Sequence, residues 1–183
     1  MNRTMKHIKY ISALLLASVL SFTSCDMSET NVDPSRPIDV DLNLILPAAL
    51  GQAAYNQMAL PARMSGIVMQ HFQGFDAQQV AYTDYVIPDN TFNNYWNFGS
   101  YAGVLKDTRD LVDKATAEGQ PYYQGIALIL RAEALGYLAA SFGDVPSSEA
   151  LQGTDQLKPT FDAQRDVYAR ILSDLDNAIS LLG

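Results

Sequence analysis

Aromatic and amide side chains are concentrated in one segment of the chain, between residues 72 and 101. Of the 1 Trp, 10 Tyr and 7 Phe in the chain, nine lie in this segment, with asparagines and glutamines interleaved. An aromatic ring can stack on the apolar C–H face of a sugar while neighbouring amides bond its hydroxyls. The segment therefore predicts a ligand-binding surface, for which the candidate residues are Tyr82, Tyr85, Asn94 and Trp96.

The same aromatic rings could instead pack in the interior. Trp96 stands at the start of an amphipathic segment, so we favour a core position for it over a place in a binding site. Tyr82 and Tyr85 lie outside strong helical periodicity, near Pro88, and we expect them in a loop, where binding residues are common. For these two tyrosines both interpretations stay open. Residues 79–87 could also form a short strand.

The residues that catalysis most often needs are missing or isolated. One histidine lies in the first 24 residues, which leaves His71 as the only other one, and no Cys/His set has zinc-ligand spacing. Neither a P-loop nor a dinucleotide glycine pattern is present. The acid pairs Asp107/Asp110 and Asp174/Asp176 are expected on solvated helix faces. We predict that the chain is not an enzyme and requires neither a metal nor a cofactor.

A single cysteine follows a typical secretory leader. Three basic residues precede an apolar run of about a dozen residues, which suits a signal peptide better than a membrane span. Ser-Phe-Thr-Ser directly precedes Cys25, an arrangement that resembles the lipobox of bacterial lipoproteins. It implies that Cys25 is lipidated and that residues 1–24 are removed. The alternative is an ordinary signal peptide with an incidental cysteine.

The charge balance excludes one class of partner. The chain holds 12 basic and 20 acidic residues, for a net charge of −8. The leader carries three of the basic residues and no acid, so the remainder is more acidic still. Such a surface argues against binding nucleic-acid phosphates. Residues 25–41 are polar and acidic, with two prolines and no helical period, and we interpret them as a lipidated tether.

Apolar residues spaced by three and four predict an all-α body. We expect helices at 47–58 and 61–73, then a hairpin of two long helices between residues 91 and 146, and a last helix at 162–182 with Asp162 as its N-cap. The short connection at Gly119 makes the hairpin antiparallel, and such hairpins need stacked neighbours to bury their faces. Gly143, Asp144 and Pro146 form the turn that closes the hairpin.

Three segments resemble the SusD/RagB family of nutrient-binding lipoproteins. They are Asn-Val-Asp-Pro at 31–34 with Leu-Ile-Leu-Pro-Ala at 44–48, the segment YYQGIALILRAEALGYLAASFGDVPSSEAL at 122–151, and KPTFDAQRDVYARILSDLDNAISLL at 158–182. The resemblance implies tetratricopeptide-like helical hairpins. It covers about the first third of a family member, so we interpret residues 42–183 as the truncated N-terminal part of a SusD-like α-helical domain. The last helix then lacks its partner, and its apolar face should be partly exposed.

The resemblance also implies a function. Members of the SusD/RagB family are lipid-anchored in the outer membrane, at the cell surface, and bind a nutrient, most often a glycan. They deliver it to a SusC-type TonB-dependent transporter. Two alternatives remain: a lipid-anchored helical-repeat scaffold that binds a protein without any nutrient, and a secreted enzyme whose active site lies in sequence absent here.

Overall fold

Helices dominate residues 39–183, the part of the chain that the computed structural model describes. Within that part no strand forms, and the one isolated antiparallel bridge joins Val145 to Asp162. The predicted all-α fold is confirmed, and the alternative of a strand at 79–87 is wrong. The leader, Cys25 and nearly all of the tether lie outside the described residues. The elements are α1 (Leu42–Met58), α2 (Leu60–Val68), α3 (Ala77–Thr83), a π-helical segment (Tyr95–Leu105), α4 (Lys106–Ala117), α5 (Pro121–Phe142) and α6 (Gln164–Leu182).

Helix α1 begins earlier than the sequence predicts. It was expected to start at Pro47, since proline suits a first helical turn, but it starts at Leu42 and carries Pro47 inside. Leu42, Ala49 and Ala53 are buried along one side of the helix. Burial of this side outweighs the hydrogen bond that proline cannot donate.

The expected first helix of the hairpin is interrupted. Its N-terminal half is π-helical, and the backbone leaves helical geometry at Gly103, where φ is −99° and ψ is −106°. Regular α4 starts only at Lys106. A Cβ on Gly103 would lie 2.6 Å from the carbonyl oxygen of Phe98 and 3.0 Å from Cγ of Gln52 in α1. The kink therefore goes with a close approach between α1 and the π-helical segment.

Helix α5 forms the centre of the body, with α4 on one side and α6 on the other. Its length and apolar composition would also allow a membrane span, but core helices share that composition. One side packs against α1 and α4, and the other against α6. The buried residues on the first side include Leu111, Ala115, Ala127 and Leu130, and those on the second include Leu135, Leu138, Ala139, Val167 and Ile171.

One buried ion pair joins α5 to α6. Nε and Nη2 of Arg131 donate to the two carboxylate oxygens of Asp174 at 2.8 Å and 2.6 Å. The Asp174 side chain is only 7% exposed. The expectation that Asp174 lies on a solvated helix face is therefore wrong. Its position opposite a cation on α5 satisfies the charge that burial would otherwise leave unpaired.

Gly143 ends α5 in the left-handed region, with φ at 80°. The following Asp144 accepts a hydrogen bond through Oδ1 from the backbone N–H of Gln164, at 2.9 Å, and so caps the first turn of α6. Asp162 was expected in that role, but it lies one residue before the Ala163 N-cap position. Its carboxylate instead accepts hydrogen bonds from the backbone N–H groups of Ser147 and Ser148.

The last helix leaves part of its apolar face uncovered, as expected. Val167, Ile171 and Ala178 are buried against the core. Leu172 and Ile179, on the other side of the same face, are 63% and 70% exposed.

Candidate functional site

A groove of about 460 Å³ lies where α1 and α2 meet the start of the π-helical segment. Helix α3 contributes one residue to its edge. The lining combines aromatic, amide and hydroxyl groups with a single charged side chain. Its residues are Gln52, Tyr55, Asn56, Ala59, Leu60, Arg63, Gln78, Thr91, Asn94, Tyr95, Phe98 and Gly99.

Two aromatic rings of the groove are accessible to a ligand. Tyr55 on α1 is 70% exposed, and Phe98 on the π-helical segment is 71% exposed. By contrast, Tyr95 is buried and contacts the core through its ring. Exposed rings that no neighbour covers can stack on an apolar ligand face.

The amides of the groove supply hydrogen-bonding capacity. Those of Gln52, Gln78 and Asn94 make no hydrogen bond to any other group in residues 39–183. Asn56 donates from Nδ2 to Oγ of Ser100 at 3.1 Å, and its carbonyl oxygen lies against Gly99. Each free amide presents both donors and an acceptor, the combination that a sugar hydroxyl can use.

The floor of the groove depends on close helix packing. A Cβ at Gly99 would overlap the side-chain oxygen of Asn56. Glycine at this position lets the Asn56 amide lie directly on the backbone of the π-helical segment. At this point of the lining, backbone and an amide side chain are in direct contact.

Of the four predicted ligand residues, the groove contains only Asn94. The expectation of a loop position is wrong for Tyr82, which lies within α3 and is fully buried. It packs with Met64 and Ile67, and its hydroxyl has no hydrogen-bond partner among the residues that the structure describes. A ring in that position cannot stack on a ligand.

Tyr85 lies in the turn after α3, at a φ of 57°, and is exposed. Its hydroxyl accepts a hydrogen bond from Nε2 of Gln70 at 2.8 Å and donates to the carbonyl oxygen of Val68 at 3.2 Å. These bonds tie the end of α2 to the end of α3. The hydroxyl of Tyr85 is therefore engaged in hydrogen bonds within the fold, and the residue is not part of the groove lining.

Trp96 is half-buried and belongs to an aromatic cluster away from the groove lining. Its ring lies 5.0 Å from that of Phe142, edge to face, and 5.1 Å from that of Tyr101. Phe161 stacks on it at 6.2 Å. The Tyr101 hydroxyl donates to the carbonyl oxygen of Pro146 at 2.7 Å, which fixes the turn after α5 to this cluster. Burial and the charge of Asp162 raise the pKa of Tyr101, so the hydroxyl stays protonated as a donor.

Sequence reasoning missed the part of the groove that α1 and α2 supply. Gln52, Tyr55, Asn56 and Ala59 follow one another at steps of three, one and three, which places them on one helix face. Arg63 continues that direction on α2. Amide and aromatic residues at this helical spacing could have indicated the site. They were missed because they lie outside the aromatic-rich segment.

Two other cavities suit a binding role less well. One, of about 560 Å³, lies between α2 and the end of α5 and is mainly apolar. The other, of about 370 Å³, contains Arg109, Arg131 and Arg170, which are already engaged with Asp113, Asp174 and Ser147. Among residues 39–183 no group of three or more His, Cys, Asp or Glu side chains is placed to hold a metal ion.

A family model described as SusD-like, starch-binding and associating with the outer membrane matches residues 34–183. The chain is also similar in structure to a SusD/RagB family protein from Bacteroides thetaiotaomicron VPI-5482, with a TM-score of 0.70 and 27% sequence identity. The similarity covers 79% of this chain and 31% of that protein, so the chain spans about a third of its length. No curated protein matches the chain.

Proposed function

The chain belongs to the SusD-like family of starch-binding proteins that associate with the outer membrane, and from this premise we propose that its groove binds a glycan. The observation that carries the proposal is the juxtaposition of two exposed rings, Tyr55 and Phe98, with the free amides of Gln52 and Asn94. The rings would stack on sugar faces while the amides bond hydroxyls. The groove volume lies within the ordinary range for small-ligand sites, roughly 300–1,000 Å³.

The physical contribution of each part can be estimated. An aromatic contact contributes on the order of 1 kcal/mol beyond area burial, and a neutral hydrogen bond contributes about 1 kcal/mol net. Neither is large, so binding depends on several contacts made together. This matches a site built from many weak groups, and we infer a binding protein and not an enzyme.

The proposal extends to place and partner. The leader and Cys25 suit a lipoprotein, and the family associates with the outer membrane. We propose that the protein is anchored there by lipid on Cys25, faces the cell exterior, and delivers its glycan to a SusC-type TonB-dependent transporter. Anchoring predicts that Cys25→Ala moves the protein from the membrane to the soluble fraction, whereas Val32→Ala in the same tether does not. Membrane retention of Cys25→Ala would refute lipidation.

Calorimetry with maltooligosaccharides and a panel of other glycans tests the binding proposal. The double variant Tyr55→Ala/Phe98→Ala should lose roughly tenfold or more in affinity, because about 1.4 kcal/mol is a factor of ten. Its melting temperature should hardly change, because both rings are exposed. Phe75→Ala is the matched control, since Phe75 is 92% exposed and lies outside the groove lining. Unchanged binding by the double variant would place the ligand elsewhere.

A second function keeps one specific observation in its favour. The exposed leucine and isoleucine of α6, Leu172 and Ile179, could serve a lipid-anchored scaffold that binds a protein partner without a nutrient. The two functions differ in which surface matters. Under the scaffold alternative, substitutions at Leu172 and Ile179 abolish partner binding, while the groove variants have no phenotype in glycan uptake.

A further inference from the structure

One arginine in the groove has no hydrogen-bond or ion-pair partner among residues 39–183. Arg63, on α2, is half-buried, and its Nε is fully buried without a hydrogen-bond acceptor. No carboxylate in residues 39–183 forms an ion pair with it. Leaving a buried charged donor unsatisfied costs free energy that a protein ordinarily avoids.

The other arginines in the described residues are all engaged. Arg109, Arg131 and Arg165 each face an aspartate within ion-pair distance. Arg170 donates to the carbonyl oxygen and the hydroxyl of Ser147. The chain offers 20 acidic residues against 12 basic ones, so carboxylates are abundant. The isolation of Arg63 is therefore a local feature of the groove and not a shortage of acids.

The groove lining explains that isolation. Within the described part of the chain, Arg63 is the only charged residue of the lining, and the others are amides, aromatic rings, one threonine, small residues and a leucine. With no acid from residues 39–183 in the lining, the Nη groups remain available to a ligand, and no carboxylate of that lining competes with an incoming anion. Because Nε is buried, the two Nη groups are the donors that a ligand can reach, and together they form a planar fork that matches a carboxylate or a sulfate through paired N–H···O bonds.

We propose that the groove selects a glycan that carries an anionic substituent, either a uronic acid carboxylate or a sulfate ester, with Arg63 as the residue that reads the charge. This inference rests on the proposed glycan-binding function and names its substrate class. The rings of Tyr55 and Phe98 would hold the sugar plane, and the amides would bond its hydroxyls. Arg63 would contribute the discrimination between charged and neutral sugars.

Calorimetry on the full chain, with three oligosaccharides of equal length, tests the inference. The probes are an oligogalacturonate, a sulfated galactan oligosaccharide and a neutral maltooligosaccharide. We expect at least one anionic probe to bind about tenfold or more tightly than the neutral one. Arg63→Gln should weaken binding of that anionic probe about ten- to a hundredfold, to the level of the neutral probe. Arg63→Lys should restore part of the preference, because it keeps the charge but not the fork.

Arg165→Gln is the matched control, because Arg165 is exposed at the start of α6 and pairs with Asp166. It should leave all three affinities unchanged, and melting curves confirm that each variant is folded. The carboxylate and sulfate probes separate the two sources of the anion. Equal affinity for neutral and anionic probes, unaltered in Arg63→Gln, would overturn the inference and leave glycan binding intact. Failure of every probe to bind would overturn the proposed function itself.

Discussion

Asp144 and Asp162 hold each other's chain segments: Asp144 accepts a hydrogen bond from a residue that follows Asp162, and Asp162 accepts hydrogen bonds from residues that follow Asp144. Asp144, at the end of α5, takes the N–H of Gln164, two residues beyond Asp162. Asp162, just before α6, takes the N–H groups of Ser147 and Ser148, a few residues beyond Asp144. The backbones of Val145 and Asp162 also exchange two hydrogen bonds between these contacts. The loop between α5 and α6 is thus closed by carboxylates at both of its ends.

This closure should be lost in acid. Burial opposes ionisation of Asp162, but hydrogen bonds from Ser148 and Ser147 and the charge of Arg170 outweigh it and lower its pKa. A lowered folded-state pKa stabilises the fold above the ordinary value for aspartate, about 3.9, and that stabilisation is lost as the pH falls below it. We expect the melting temperature to fall between about pH 4 and pH 2.

Asp162→Asn should show a lower melting temperature at neutral pH and a flatter decline below pH 4. Both backbone N–H groups donate to the same oxygen of Asp162, so the amide oxygen can still accept them. The neutral amide, however, loses the attraction to Arg170 and the strength of charge-assisted bonds, and its NH2 group replaces the oxygen that accepts from Oγ of Ser148. Asp89→Asn, an exposed position in the loop before the π-helical segment, serves as the control and should reproduce the wild-type curve. An acid decline in Asp162→Asn as steep as in the wild type would show that other carboxylates control it.

The buried pair of Arg131 and Asp174 gives a second expectation. Asp174→Ala should destabilise the fold by roughly 3–5 kcal/mol, because it leaves a buried guanidinium unpaired. The double variant Arg131→Met/Asp174→Leu removes both charges and should be less destabilised than Asp174→Ala alone. Chemical denaturation measures both. Asp166→Ala, which breaks an exposed pair with Arg165, should cost no more than about 1 kcal/mol. A double variant with a lower free energy of unfolding than Asp174→Ala would contradict this account.

Tyr82 separates packing from ligand binding. Because its ring is fully buried, Tyr82→Ala should cost roughly 3–5 kcal/mol of stability. Its hydroxyl has no hydrogen-bond partner in residues 39–183, so Tyr82→Phe should be neutral or stabilising, by about 1 kcal/mol or less. Thermal melts of the two variants test this. A marked loss of stability in Tyr82→Phe would reveal a partner for the hydroxyl.

The uncovered face of α6 should govern self-association. Leu172 and Ile179 are 63% and 70% exposed on one helix face, and exposed apolar patches of this kind promote association. In a chain of residues 26–183, Leu172→Lys/Ile179→Lys should shift the sedimentation profile toward monomer. Leu157→Lys is a matched control, since Leu157 is 78% exposed but lies outside a helix. If the wild-type chain is already monomeric at high concentration, this face does not drive association.

The helical architecture was predictable because burial follows the helical period. In α6 the spacing of Val167, Ile171 and Ala178 indicates which side of the helix is buried. The same period places Asp174 on the buried side, although its charge made a solvated position the expected one. It lies on that buried side, and only the position of Arg131 on another helix makes a carboxylate acceptable there. A partner from a separate helix is invisible to a local pattern.

The site was predictable only in kind. Aromatic rings with amides were the right residue types, and the aromatic-rich segment contributes Asn94 and Phe98 to the groove, but Tyr55 and Arg63 come from α1 and α2. Which side of a helix meets a groove depends on how helices cross, and a local sequence pattern does not contain that crossing. Tyr82 was misplaced because a seven-residue helix is too short to show a clear period.

The glycine at position 99 limits how the groove can change. Because the Asn56 amide rests on backbone where a Cβ would overlap it, even alanine at position 99 would have to push that amide out of its place. The groove near Gly99 therefore depends on how Asn56 of α1 packs against the π-helical segment, and this sets its depth. Tyr55 and Phe98 are exposed at its rim. Divergence among related chains should alter the rim and preserve the depth, so that new sugar preferences arise without a new fold.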